Sequence, residues 1–121
     1  MSTKKLKLLS LILVFGILFT ACDSGNKIGS PIELLEHYRN NESVVGMTID
    51  VEVTIPGPYG TQIGGRTIFA QGFAGSNIIK YYARNPDEIG NKETVTLKIT
   101  EVEASMDAGA FIALDVTGDI V

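Results

Sequence analysis

Thr48-Ile49-Asp50-Val51-Glu52-Val53-Thr54-Ile55 alternates polar and apolar residues without a break. Successive side chains on a strand point to opposite faces, so Ile49, Val51, Val53 and Ile55 form one buried face. Thr48, Asp50, Glu52 and Thr54 form the wet one. Residues 56–65 hold two prolines and four glycines and cannot continue that strand. The stretch therefore reads as a first β-strand followed by a long connection.

The same period recurs downstream. Residues 66–73 and 78–84 read as a second and a third strand, joined by the short hairpin loop Ala74, Gly75, Ser76 and Asn77. Residues 86–91 read as a turn or a single helical turn. Residues 94–103 form a fourth strand, in which Val95, Leu97 and Ile99 are in phase and Val102 is not. That slip predicts a bulge near Thr100 or Glu101. After a turn at 107–109, Ala110, Ile112, Leu114 and Val116 form the inner face of a fifth strand.

Upstream the period is helical. Ser30 and Glu33 form a capping box, Pro31 takes the first helical position, and Leu34, Leu35 and Tyr38 share a face before Asn40 and Asn41 end the helix. The expectation is a mainly β fold: a small five-stranded antiparallel barrel with one short leading helix. Closure into a barrel is the most economical way for so few strands to bury one face and protect their edges.

The first 21 residues have a different character. Lys4, Lys5 and Lys7 precede an apolar run over 8–19, and the small Thr20 and Ala21 lead into Cys22, the single cysteine. The run is shorter than the roughly 20 residues that span a bilayer as a helix, so it reads as a cleaved export signal. Leu18 to Cys22 resembles the lipobox of bacterial lipoproteins, in which the cysteine thiol carries diacylglycerol and becomes the new N-terminus. The resemblance implies lipidation at Cys22 and anchoring on the exported side of a bacterial membrane, facing the periplasm or the cell surface. Acyl chains contribute about 0.8 kcal/mol per buried methylene. An ordinary secretory signal with an incidental cysteine is the alternative. The expected organisation is a leader over 1–21, a small, polar tether over 22–29 and one folded domain over 30–121.

Charge narrows the function classes. The chain has ten basic and fourteen acidic residues, and losing Lys4, Lys5 and Lys7 with the leader leaves seven against fourteen, a net −7. Nucleic-acid binders draw most of their affinity from lysine and arginine on phosphates, so this balance disfavours such a partner. The middle is different: from Val53 to Pro86 there is no acid, while Arg66, Lys80 and Arg84 are present. Such a stretch suits an anionic partner, or is simply a solvated face whose acids fall elsewhere.

The folded part resembles the small bacterial lipoproteins with an OB-fold of the tRNA-anticodon-binding-like type. The resemblance is carried by Leu34, Leu35, Tyr38, Asn41 and Glu42, by Gly46, Ile49, Val51 and Val53, by residues 95–99, and by Ile112, Leu114 and Asp115. It implies a ligand surface across the second and third strands, flanked by the loops joining strands one to two and four to five. On the third strand Ile78, Lys80, Tyr82 and Arg84 share one face. An aromatic ring beside an ammonium and a guanidinium can stack on a planar ligand or meet a carboxylate or phosphate. Arg66, Lys80, Tyr82 and Arg84 are thus the candidate ligand-binding residues. The plainer reading, in which Tyr82 covers its neighbours and the cations solvate a barrel strand, is the preferred one from sequence alone.

Catalytic readings are weaker. Asp50 with Glu52, and Glu101 with Glu103, are acids two apart on a strand face, about 7 Å from each other, and without an apolar pocket they read as solvated. His37, the only histidine, lies in the helix with no serine and carboxylate arrangement around it. Gly57, Gly60, Gly64 and Gly65 lack the spacing of a phosphate-binding loop, and Asp107, Asp115 and Asp119 lack that of a calcium loop. No enzyme, metal or cofactor is expected. The expected function is a noncatalytic, lipid-anchored envelope module that binds a protein, peptide or glycan. The alternatives are a structural or inhibitory lipoprotein acting through the 56–65 loop or a strand edge, and, more weakly, oligonucleotide binding.

Overall fold

The computed structural model describes residues 27–55 and 60–121. The expected leader, Cys22 and most of the expected tether lie outside the described residues, as do residues 56–59. No helix among the described residues is long and apolar enough to cross a membrane.

Among the described residues the fold is mainly β with one helix. Strand β1 (Lys27–Ile28) precedes helix α1 (Pro31–Arg39). There follow β2 (Thr48–Glu52), β3 (Gln62–Ile63), β4 (Arg66–Ala74) and β5 (Asn77–Ala83). A 3-10 turn over Pro86–Glu88 leads to β6 (Thr94–Asp107) and β7 (Ile112–Ile120). All seven strands lie in one sheet in the order β1-β2-β6-β7-β5-β4-β3.

The five expected strands are all present, but the sheet departs from the expectation in three ways. It is mixed, not antiparallel, because β5 runs parallel to β7 and β1 parallel to β2. It gains two short edge strands, and Lys27 and Ile28, expected in the tether, are already paired to Thr48 and Ile49. Finally, the sheet is not closed by a ladder between its two halves. What joins them is narrower: the N–H groups of Thr54 and Ile55 both donate to the Phe69 carbonyl, at 3.1 and 2.9 Å. The Gln71 N–H donates to Thr54 Oγ1 at 3.1 Å. Phe69 can accept twice because the β4–β5 register shifts between Ile68 and Ala70, leaving it unpaired with β5.

The local signals around the helix act as anticipated, with one change. Ser30 Oγ accepts from the Glu33 N–H at 3.2 Å, while Glu33 Oε1 reaches one residue further back, to the Gly29 N–H at 3.0 Å. The helix stops at Asn40, and Asn41 takes a positive φ of 58° that asparagine tolerates well. Leu34 and Leu35 are buried in one cluster with Phe69, Ile79, Leu97, Ile99, Leu114 and Val116. Burial of a leucine stabilises by about 1.5–3 kcal/mol, so these two residues fix the helix on the sheet.

In the long strand β6 the register against β7 shifts between Ile99 and Glu101, where the bulge was expected, and again between Ala104 and Met106. Ala110, assigned above to the inner face of the last strand, is exposed and precedes it. Two buried or half-buried asparagines hold the parallel β5–β7 pair at its ends. Asn77 accepts from the Ile112 N–H at 2.8 Å and donates to the Ala74 carbonyl at 3.0 Å. Asn85 accepts from the Ile120 N–H at 2.7 Å and donates to the Ile120 carbonyl at 3.0 Å. Gly118 lies where β7 crosses β6 so closely that a Cβ would press on the Lys98 carbonyl oxygen and, at 2.9 Å, on Leu97 Cγ.

Candidate functional site

The register of four neighbouring strands sets the residues of the outer face in rows. Ile68 on β4 stands opposite Tyr82 on β5, Tyr82 opposite Thr117 on β7, and Thr117 opposite Glu101 on β6. One row along, Gln71, Lys80, Asp115 and Glu103 line up in the same way. Directly opposed residues point to the same side of a sheet, so each row is a strip of side chains on one surface.

Arg66 is placed at this surface by a tight hairpin. Gly64 and Gly65 join β3 to β4 with φ of 59° and 79°, the two positive values that a type I′ turn needs at its centre. From the end of that turn the Arg66 guanidinium lies over the Tyr82 ring, 4.1 Å from its centre, and donates through Nη1 to Thr117 Oγ1. Thr117 is held in turn, since its carbonyl accepts from Thr100 Oγ1 at 3.1 Å. The stack explains why Tyr82, although on the outer face, is only 5% exposed. Burial, then the Asp115 carboxylate, push the Tyr82 phenol above its usual pKa, and Arg66 offsets part of that rise.

The other candidates sit around this stack in different states. Arg84 turns towards Asp119, with Nε 3.5 Å from Oδ1; its own side chain is exposed and Asp119 is half-buried. Lys80 is half-buried and stands opposite Asp115 across the β5–β7 pair. Asp115 Oδ1 is buried and accepts no hydrogen bond among the described residues. Arg66 likewise forms no ion pair with a carboxylate among the described residues. Beside it a groove of about 340 Å³ runs from Ile63 and the Gly64-Gly65 turn, past Arg66 and Arg84, to Thr117, Glu101 and Glu103.

Comparison with protein-family models, with curated proteins and with solved structures yields no match for this chain. The chemistry of the surface is therefore read from its own side chains. An arginine has five N–H donors in a fixed fork, and Thr117 takes one of those on Arg66, which leaves the others for a ligand in the groove that Arg66 lines. Its stacked, hydrogen-bonded position limits the rotamer entropy that an incoming anion has to overcome. The structure thus brings Arg66 and Arg84 to one groove, with Tyr82 buried beneath Arg66, and leaves Lys80 one row away. Sequence reasoning placed Glu101 and Glu103 on a shared strand face, where they do lie, but did not join them to the cationic residues. It missed Thr117 altogether, a threonine whose only sequence signal is its place, with Asp115 and Asp119, on the polar face that alternates with Ile112, Leu114 and Val116.

Several titratable groups away from this surface have plain local partners. Asp50 lies 2.7 Å from Lys27 Nζ and accepts from Thr96 Oγ1 at 2.8 Å, and those two contacts hold its carboxyl below the usual range. His37 lies between Glu33, at 3.9 Å, and Glu42, at 2.8 Å, the latter near enough for an ion pair but not aligned as a hydrogen bond. Tyr38 donates to Asp107 Oδ2 at 2.8 Å. No group of three or more histidine, cysteine, aspartate or glutamate side chains suited to a metal ion occurs among the described residues.

Proposed function

We propose that this chain is a noncatalytic binding module, held by lipid at Cys22 on the exported side of a bacterial membrane, whose contact surface is the outer face of β4 and β5 around Arg66 and Tyr82. The observation that carries the reading is the guanidinium of Arg66, fixed on a tyrosine ring beside an open groove and engaged in no ion pair among the described residues. A cation held in place but left unpaired is poised for an anionic group from outside.

The order of the longer strands supports an OB-type architecture for this surface. Read as strands one to five, β2, β4, β5, β6 and β7 lie in the order one-four-five-three-two with the third parallel to the fifth, which is the order of such a barrel opened between strands one and two. The hydrogen bonds from Thr54 and Ile55 to Phe69 bridge that same opening. In this fold the second and third strands form the usual ligand face, and here they carry Arg66 and Tyr82.

Capture of partners from envelope extracts tests the reading. The lipidated protein is expected to retain a partner that Tyr82→Ala with Arg84→Ala loses and Tyr59→Ala keeps. Loss only on changing Tyr59 moves the contact to the 56–65 loop. Mass spectrometry of the membrane-extracted protein tests the anchor, with a diacylglyceryl group on an N-terminal Cys22 expected and an unmodified thiol contradicting it.

A further inference from the structure

The groove beside Arg66 has two chemically opposite walls, and that constrains its occupant beyond "anionic". One side carries Arg66 and Arg84; the other carries Glu101 and Glu103, projecting from β6 on the same face. Neighbouring strands are about 4.8 Å apart, so the backbone of β6, which carries the two glutamates, runs one strand spacing from that of β7, where the Arg66 guanidinium meets Thr117. A polyanion that satisfied Arg66 would meet both glutamates and be repelled. A simple cation would meet the two arginines.

Resting on the reading of this face as the contact surface, we infer that the groove takes a short zwitterionic peptide, its carboxylate on Arg66 and its ammonium between Glu101 and Glu103. The planar guanidinium matches a carboxylate through two parallel N–H donors, and Tyr82 beneath it keeps the plane oriented. Two extended residues span at most about 7 Å, so a dipeptide lying along the groove can carry its carboxylate over β7 and its ammonium towards the next strand, β6. A volume of about 340 Å³ lies at the lower end of small-ligand sites, large enough for a dipeptide or for the end of a longer chain. The acid-free composition of residues 53–86 and the glutamates of β6 thus become two halves of one site.

The test is titration of the purified protein with alanyl-alanine, followed by NMR at the Thr117 and Tyr82 amides. Saturable shifts there are expected, with N-acetyl-alanyl-alanine and alanyl-alanine amide each at least tenfold weaker. Arg66→Lys, folded by circular dichroism, should weaken alanyl-alanine at least tenfold, because an ammonium cannot reproduce the fork. Glu101→Gln with Glu103→Gln should make the free and N-acetylated peptides bind alike. Absence of saturable binding, equal binding of the N-acetylated peptide to the unaltered protein, or tighter binding of phosphoethanolamine than of the dipeptide would each overturn the assignment. If the dipeptide fails while partner capture still depends on Tyr82, the ligand class is wrong and the surface stands. If the dipeptide binds while capture ignores Tyr82, the macromolecular contact lies elsewhere.

Discussion

The Arg66 guanidinium caps the Tyr82 ring at 4.1 Å and ties β4 to β7 across the strand between them. Removing that cap uncovers a ring that the fold otherwise keeps from water. Arg66→Ala is expected to lower stability by about 1–2 kcal/mol, combining a cation–π contact with a charged hydrogen bond. Lys80→Ala, one row away and without an ion pair among the described residues, should stay within about 0.5 kcal/mol. Urea unfolding of the two variants side by side checks the difference.

Asn77 bears on the parallel pairing of β5 and β7. Its side chain satisfies the buried Ile112 N–H, so Asn77→Ala leaves that donor without a partner and also gives up the bond to Ala74. The expected cost is about 2–3 kcal/mol, with an unchanged denaturant slope. Hydrogen exchange at the Ile112 amide should accelerate in the same variant.

Gly118 is required by close approach of backbone to backbone. A methyl group there meets the Lys98 carbonyl and Leu97, neither of which can move without disturbing β6. Gly118→Ala is expected to cost more than about 2 kcal/mol, at the upper end for overpacking. A thermal melt of the variant measures it.

Acid should act through Asp50. Its folded pKa is depressed by Lys27 first and Thr96 second, so the stability it confers is present above its ordinary value of 3.8 and is lost as pH falls through the lower folded value. Asp50→Asn should therefore flatten the acid limb of the urea midpoint below about pH 4. At high pH the sign reverses for Tyr81, whose phenol burial pushes up to about 12. Its stability contribution is complete below about pH 10 and is lost as pH rises towards 12, so Tyr81→Phe should lessen the alkaline decline.

Local features of this chain were legible because their causes are local. Ser30, Pro31 and Glu33 mark the helix start, and the phase slip between Ile99 and Val102 marks the bulge, from residues that are sequence neighbours. Pairing partners were not. Nothing in residues 78–84 or 112–120 says that they run parallel, since alternation describes a face and not a neighbour. Gln62 and Ile63 vanish into a glycine-rich connection, although Gly64-Gly65 between two short polar–apolar segments is a hairpin signal when only two residues are asked of each strand. The candidate site was half visible: Arg66, Tyr82 and Arg84 stand in an acid-free segment, whereas Thr117, Glu101 and Glu103 join them only through the order of strands in the sheet.

The most direct measurement places a photoreactive benzoylphenylalanine at Lys80, beside the Arg66–Tyr82 stack, or at Glu52, on the exposed face of β2, and irradiates each protein in native envelopes. Cross-linking to a single partner from position 80 and not from position 52 is the predicted result. A partner captured from position 52 alone, or equally from both, would contradict a contact surface on β4 and β5.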